Sequence, residues 1–112
     1  MANNFKVKTK AGGAVAANTA MTIYTCGTGI QTTIIGLTIA NITNTQTFVD
    51  VQLENSDGDN VYLIKAAPLG VGSAFVPVGG DQKVVMEAGD VLKVTSSIAN
   101  AVDCTLSILE ID

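Results

Sequence analysis

The sequence predicts an all-β protein, an antiparallel β-sandwich of jelly-roll-like type with about eight or nine short strands. Three observations predict this class. Apolar and polar residues alternate along many short runs, clusters of turn-forming residues separate these runs, and no long stretch has the 3.6-residue period of a helix. With 112 residues the chain has the size of one domain.

The N-terminal segment MANNFKVKTK predicts a strand with one basic face. Phe5 and Val7 alternate with Lys6, Lys8 and Lys10, and the segment contains no acidic residue. Such a strand suits the edge of a sheet, where lysine discourages unwanted pairing, or an arm that pairs with an acidic neighbour. The sequence leaves both possibilities open.

The residues that follow this strand are small and have little structural preference of their own. We therefore expect a connector that allows the first strand to swing. This divides the chain into a basic strand or arm with its connector, residues 1–18, and a β-sandwich domain, residues 19–112.

The next two strands show the β-branched character of a sheet interior. In the first, Met21 and Ile23 are expected on one face and Thr22 and Tyr24 on the other. The second, Gln31–Asn41, is the most β-branched run of the chain and is expected to be central, with Ile35, Leu37 and Ile39 on one face and Ile34, Gly36, Thr38 and Ala40 on the other. The small side chains at Gly36, Thr38 and Ala40 indicate a surface that a neighbouring subunit approaches closely.

A hairpin is predicted around Asp57-Gly58, since Asp-Gly between two alternating runs is a strong turn signal. The two flanking strands carry Phe48 and Tyr62 on their outward faces. We interpret this pair as a possible subunit or ligand contact, because exposed aromatic rings can serve either role. Pro77 places the short strand that follows at an edge of a sheet.

The last quarter of the chain predicts three further strands. In the final one Val102, Cys104, Leu106 and Ile108 share one face. Asp90, in an Ala-Gly-Asp turn, is expected to accept hydrogen bonds from backbone N–H groups. The full set of predicted strands is 3–10, Ala20–Cys26, Gln31–Asn41, Thr47–Glu54, Val61–Ala66, Ala74–Val78, Lys83–Glu87, Val91–Ser97 and Val102–Ile111.

Residue types argue against several function classes. The chain has no His and no Arg, so neither a Cys–His nucleophile pair nor the guanidinium fork that recognises phosphate and guanine is available. We predict that the protein is not an enzyme, has no cofactor or metal site, and does not bind nucleic acid. Cys26 and Cys104 are expected to be two buried thiols, with a disulfide as the alternative.

The mean hydropathy of +0.40 is high for a monomer and favours burial of surface against other copies or a larger body. The net charge is −4, although the first ten residues are basic. No apolar run has the length of a membrane span, and the N-terminus lacks the apolar core of a signal peptide. The sequence therefore predicts synthesis in the cytoplasm and no contact with a membrane.

Four segments resemble small virion proteins of tailed phages, in particular the capsid decoration or cement proteins of cyanophage type. These segments are the Thr33–Ala40 run, the Gln52–Leu63 hairpin, the Pro68–Gly72 link and the closing VVMEAGDVLKVTSSIANAVDCTLSILEI. The resemblance covers residues 20–112 and leaves the basic N-terminus outside.

The resemblance implies a structural protein on the capsid surface of a virion, binding the lattice of the major capsid protein and stabilising the head. It also implies self-association, with a homotrimer expected by analogy. The N-terminal residues Phe5, Lys6, Val7, Lys8 and Lys10 are the expected capsid contact. The alternative is a tail, fibre or baseplate component that binds a host glycan or protein.

Overall fold

The computed structural model describes residues 3–12, 15–79 and 83–112, and it confirms the all-β prediction. Nine strands lie in the described residues. They are β1 (Asn3–Lys10), β2 (Met21–Thr25), β3 (Gln31–Asn41), β4 (Thr47–Glu54), β5 (Asn60–Leu69), β6 (Ala74–Val78), β7 (Val84–Met86), β8 (Val91–Ser96) and β9 (Val102–Ile111).

Two antiparallel sheets form a sandwich. Sheet A has the strand order β1-β9-β3-β6, with the short β7 pairing with β3 beside β6. Sheet B has the order β2-β8-β4-β5. From β1 to β4 the chain alternates between the sheets at each strand, and β4 and β5 then form a hairpin within sheet B. With this strand order the fold is a jelly-roll topology.

The core lies between the sheets and is aliphatic. Leu37 and Leu106 are directly paired on the central strands of sheet A, and Val51 and Val94 are directly paired in sheet B. All four side chains are fully buried. Burial alternates along β8 and β9, and the predicted inward series Val102, Cys104, Leu106 and Ile108 is buried.

The predicted facing of β3 is wrong at its N-terminal half, because the strand contains a β-bulge between Ile34 and Gly36. The extra residue, Ile35, shifts the alternation by one position. Ile34 is therefore buried together with Leu37 and Ile39, whereas Ile35 is only half-buried.

A second irregularity overturns the prediction for Tyr24. The pairing of β2 with β8 shifts between Thr22 and Tyr24, so Ile23 and Tyr24 are both buried. Tyr24 thereby points toward sheet A instead of solvent, and its hydroxyl enters a polar cluster described below.

Both prolines lie in edge strands, where a missing N–H is tolerated. Pro77 is in β6 as predicted, and Pro68 is in β5, which runs further than the sequence predicts. β5 accommodates this length with an irregular pairing opposite Asp50, where Ala66 has φ = 54° and its N–H donates to the Asp50 carboxylate at 2.6 Å.

β1 pairs with β9 along its whole length, from Asn3 with Ile111 to Lys10 with Cys104. Of the two predicted placements, the structure shows the edge strand. The connector then passes close to β9 at Gly12, where an added Cβ would lie 1.9 Å from the carbonyl oxygen of Val102. Only glycine fits this approach.

Candidate interaction surfaces

β1 is an edge strand with side chains on two different surfaces. All eight of its residues are exposed. Its register with β9 places Lys6, Lys8 and Lys10 beside the inward-facing Ile108, Leu106 and Cys104. Phe5 and Val7 instead lie on the outer face of sheet A, so the five predicted contact residues belong to an edge and to a face.

Lys6 is anchored by a buried polar cluster. Its ammonium Nζ lies 2.8 Å from Oε1 of Glu110, a buried carboxylate on β9. Tyr24 donates its hydroxyl to Oε2 of the same carboxylate and also lies 2.8 Å from the hydroxyl of Thr32. The cluster joins β1, β9 and β3 of sheet A to β2 of sheet B.

This cluster was not predicted, although the sequence carries a signal for it. The inward series Val102, Cys104, Leu106 and Ile108 reaches Glu110 when it is continued by two residues. A carboxylate at a buried strand position requires a partner, and a lysine strand elsewhere in the chain is the natural donor. The missing element is Tyr24, whose inward direction depends on the bulge in β2.

The groups of the cluster shift the pKa values of Glu110 and Tyr24. The Lys6 ammonium, and after it the Tyr24 hydroxyl, lower the pKa of Glu110 below its usual value. Burial and the nearby carboxylate raise the pKa of Tyr24 to about 12. Glu110 is therefore ionised and Tyr24 neutral at physiological pH, as their hydrogen bond requires.

We expect a Glu110→Gln variant to lose about 1–2 kcal/mol of unfolding free energy at pH 7, because a charged acceptor becomes neutral. The folded-state pKa of Glu110 lies below its unfolded value, so this contribution is complete above the unfolded pKa and is lost as pH falls through the folded pKa. The difference between wild type and variant should therefore shrink toward pH 3, as measured by urea unfolding at several pH values. A Glu87→Gln control, at an exposed position, should change the unfolding free energy at pH 7 by no more than about 0.5 kcal/mol. A difference that is independent of pH would contradict the assignment.

The outer face of sheet A has few charges. Among the described strand residues on this face, Asp103 alone is charged, and it accepts a hydrogen bond from the Gly12 N–H at 3.0 Å. Phe5, Val7 and Val85 are 76%, 62% and 62% exposed. Charged side chains lie instead on the outer face of sheet B, as in the pairs Lys65–Asp50 and Lys93–Glu54.

Phe48 and Tyr62 are both about half exposed on the outer face of sheet B, as predicted, but they do not form a common platform. Phe48 pairs with Pro68, whereas Tyr62 pairs with Gln52. Phe48 and Gln52 are four residues apart along β4, so the Phe48–Pro68 pair and the Gln52–Tyr62 pair are separated by roughly 13 Å. The Lys65 ammonium lies 4.5 Å from the centre of the Tyr62 ring and covers part of it.

Asp90 has the predicted role of a turn acceptor, which the structure confirms. Its Oδ1 accepts the Ser56 N–H at 2.9 Å and its Oδ2 accepts the Glu87 N–H at 2.9 Å. These hydrogen bonds, the one from Glu87 first, lower the pKa of the buried carboxyl. Asp90 therefore ties the β4–β5 turn to the β7–β8 turn.

Cys26 and Cys104 are free and buried, in agreement with the prediction of two thiols. Burial raises the pKa of Cys104 to about 12. Cys26 contacts the hydroxyl of Thr32 at 3.4 Å and the carbonyl oxygen of Ile30 at 3.3 Å.

Within residues 3–12, 15–79 and 83–112, no group of three or more His, Cys, Asp or Glu side chains is arranged to hold a metal ion. The same residues contain no helix with the length and apolar character needed to cross a bilayer. No protein-family model matches the sequence, and no curated protein matches it significantly.

Proposed function

We propose that this chain is a non-enzymatic structural protein of a phage virion and that it decorates the capsid by binding the lattice of the major capsid protein. The resemblance of residues 20–112 to small virion proteins supports this function. The structural observation that carries the proposal is β1, a fully exposed edge strand with a basic side. A small sandwich with an open edge suits a protein that attaches to a larger assembly.

The free edge of β1 offers backbone hydrogen bonds to a further strand. In an antiparallel ladder successive residues direct their N–H and C=O groups to alternate sides, so β9 satisfies one set and the other set faces away. An extended segment of a capsid protein can pair with this second set, which is strand addition.

The side chains of β1 select the partner. Lys8 and Lys10 have no ion-pair partner within the described part of the chain, and their positive charges favour a strand with acidic residues on the same side. The same lysines oppose pairing of β1 with β1 of a second copy, because like charges would then lie across from one another. Phe5 and Val7 favour apolar residues on the other side of that strand.

The location is tested by labelling. An antibody raised against the recombinant chain is applied to intact particles from cells that express it, and the particles are viewed by electron microscopy. Label over the head is the expected result. Label on the tail would assign the chain to the tail, fibre or baseplate, and unlabelled particles would refute a virion role.

The contact is tested by charge reversal. The assay uses heads from which the chain has been removed. Lys8→Glu should weaken binding of the chain to these heads roughly tenfold, because an ion pair at the rim of the interface is replaced by repulsion. Lys83→Glu changes the net charge by the same amount at an exposed position immediately before β7 and is the matched control. Equal weakening by both variants would mean that overall charge, and not β1, governs binding.

A further inference from the structure

The outer face of sheet A contains bulky and small side chains in separate rows. One row across the sheet is Phe5, Leu109, Thr33 and Val85, which are cross-strand partners. The next rows toward the other end contain smaller residues on the two central strands, namely Ser107, Gly36, Thr105 and Thr38. The face therefore has a raised apolar row beside a shallow surface.

We propose that a second copy of this chain packs on this face, with the two copies related by a two-fold axis. The axis runs across the strands through the row of Val7, Ser107 and Gly36. It places Leu109 of one copy over Thr105 of the other and Phe5 over Thr9. The raised row of each copy thus meets the shallow rows of its partner, which is the self-complementarity that an isologous interface needs.

Charge favours a second copy on this surface. Each chain carries a net charge of −4, so two copies repel one another over most of their surface. The outer face of sheet A has only Asp103 as a charged residue among the described strand positions, and that carboxylate is engaged by the Gly12 N–H. Close approach through this face therefore brings few like charges together.

The size of the face is sufficient for a specific dimer. Four strands about 4.8 Å apart and a β9 of ten residues, at about 3.4 Å each, give roughly 650 Å² per copy. Two such faces bury about 1,300 Å² in total, which lies within the range of specific protein–protein interfaces. On the two central strands only Gly36 and Ser107 lie at the axis, so the sheets can approach closely there. At the β1 end of the axis, Val7 of one copy meets Val7 of the other.

The pairing does not depend on the virion role, and it uses the face of sheet A whereas capsid binding uses the edge of β1. It differs from the homotrimer that the resemblance implies. Sedimentation equilibrium distinguishes them, since the two-fold pairing predicts twice the 11.5 kDa mass of one chain. A trimer mass, or a monomer at every concentration tested, would overturn the two-fold pairing.

The surface is tested by placing charge at the axis. Ser107→Lys, at an exposed position, brings two ammonium groups together across the axis and should weaken dimerisation at least tenfold with unchanged unfolding of the monomer. Thr22→Lys introduces the same charge at an exposed position in β2 of sheet B and should leave dimerisation unchanged. Equal effects of both variants would contradict the assigned surface.

The register is tested by a charge-swapped pair. Phe5→Lys and Thr9→Asp should each weaken the homodimer, whereas a mixture of the two variants should associate as a heterodimer. In the mixture one contact pairs the introduced ammonium with the introduced carboxylate, and the other contact keeps Phe5 over Thr9. A mixture that associates no better than either variant alone would refute this register.

Discussion

A Leu106→Ala variant is expected to lose about 2–5 kcal/mol of unfolding free energy, which is the usual cost of truncating a fully buried leucine. Leu106 is 0% exposed and lies on β9, between β1 and β3 in sheet A. Its direct partner Leu37 is equally buried, so the surrounding strands have little freedom to fill the cavity. The midpoint of thermal unfolding should fall by at least about 10 °C.

The matched control for this truncation is Val71→Ala, which also removes apolar carbons but from an exposed position in the turn after β5. It should change the unfolding free energy by no more than about 0.5 kcal/mol. Chemical denaturation of both variants measures the difference. A loss below 1 kcal/mol for Leu106→Ala would show that the space between the sheets collapses around the missing side chain.

An Asp90→Ala variant is expected to lose about 3 kcal/mol, because one substitution removes the charged acceptor of two backbone N–H groups. Asp90 is only 4% exposed, so water replaces these contacts poorly. The two hydrogen bonds hold the β4–β5 turn against the β7–β8 turn, and their loss should raise amide hydrogen exchange at Ser56 and Glu87.

Two further variants distinguish the loss of the acceptor from a general effect on the turns. Asp90→Asn keeps one carbonyl acceptor and should lie between wild type and Asp90→Ala in stability. Asp57→Ala removes an exposed carboxylate from the same β4–β5 turn and should have little effect. If Asp57→Ala were as destabilising as Asp90→Ala, the turn itself and not the carboxylate clamp would be responsible.

The positions of the strands could be predicted because they depend on local signals. Alternation identifies a strand with one buried face, and Gly, Pro, Asp and Asn identify the turns between strands. The Asp57-Gly58 hairpin and the buried face of β9 follow directly from these signals. The role of Asp90 as an acceptor within its own turn could also be predicted, since Glu87 is only three residues away, whereas its hydrogen bond from Ser56 joins two distant turns.

The facing of side chains at the bulges could not be predicted. A bulge inserts one residue and reverses the alternation without a distinctive composition, and the run Thr33-Ile34-Ile35-Gly36 offers two equivalent isoleucines. The same cause turned Tyr24 inward. The Lys6–Glu110 ion pair further requires the pairing of β1 with β9, which joins residues at opposite ends of the chain.

The predicted contact residues lie on two different surfaces because β1 pairs with β9. Phe5, Lys6, Val7, Lys8 and Lys10 form one continuous segment in the sequence. Period-two alternation sends the lysines to the sandwich edge and the apolar residues to the outer face, once β1 is paired with β9. A single stretch of sequence thus supplies residues to both an edge and a face of the sandwich.

The rates at which reagents label the two buried thiols, Cys26 and Cys104, measure how the folded protein opens. The thiolate is the species that alkylating reagents attack, and burial together with the raised pKa of Cys104 suppresses that species in the folded protein. Cys26 contacts Thr32, which pairs with Glu110, while Cys104 lies six residues away along β9, or roughly 20 Å. Equal labelling rates for the two thiols would indicate that the sandwich opens as a whole, whereas faster labelling of one thiol would identify the end that opens first.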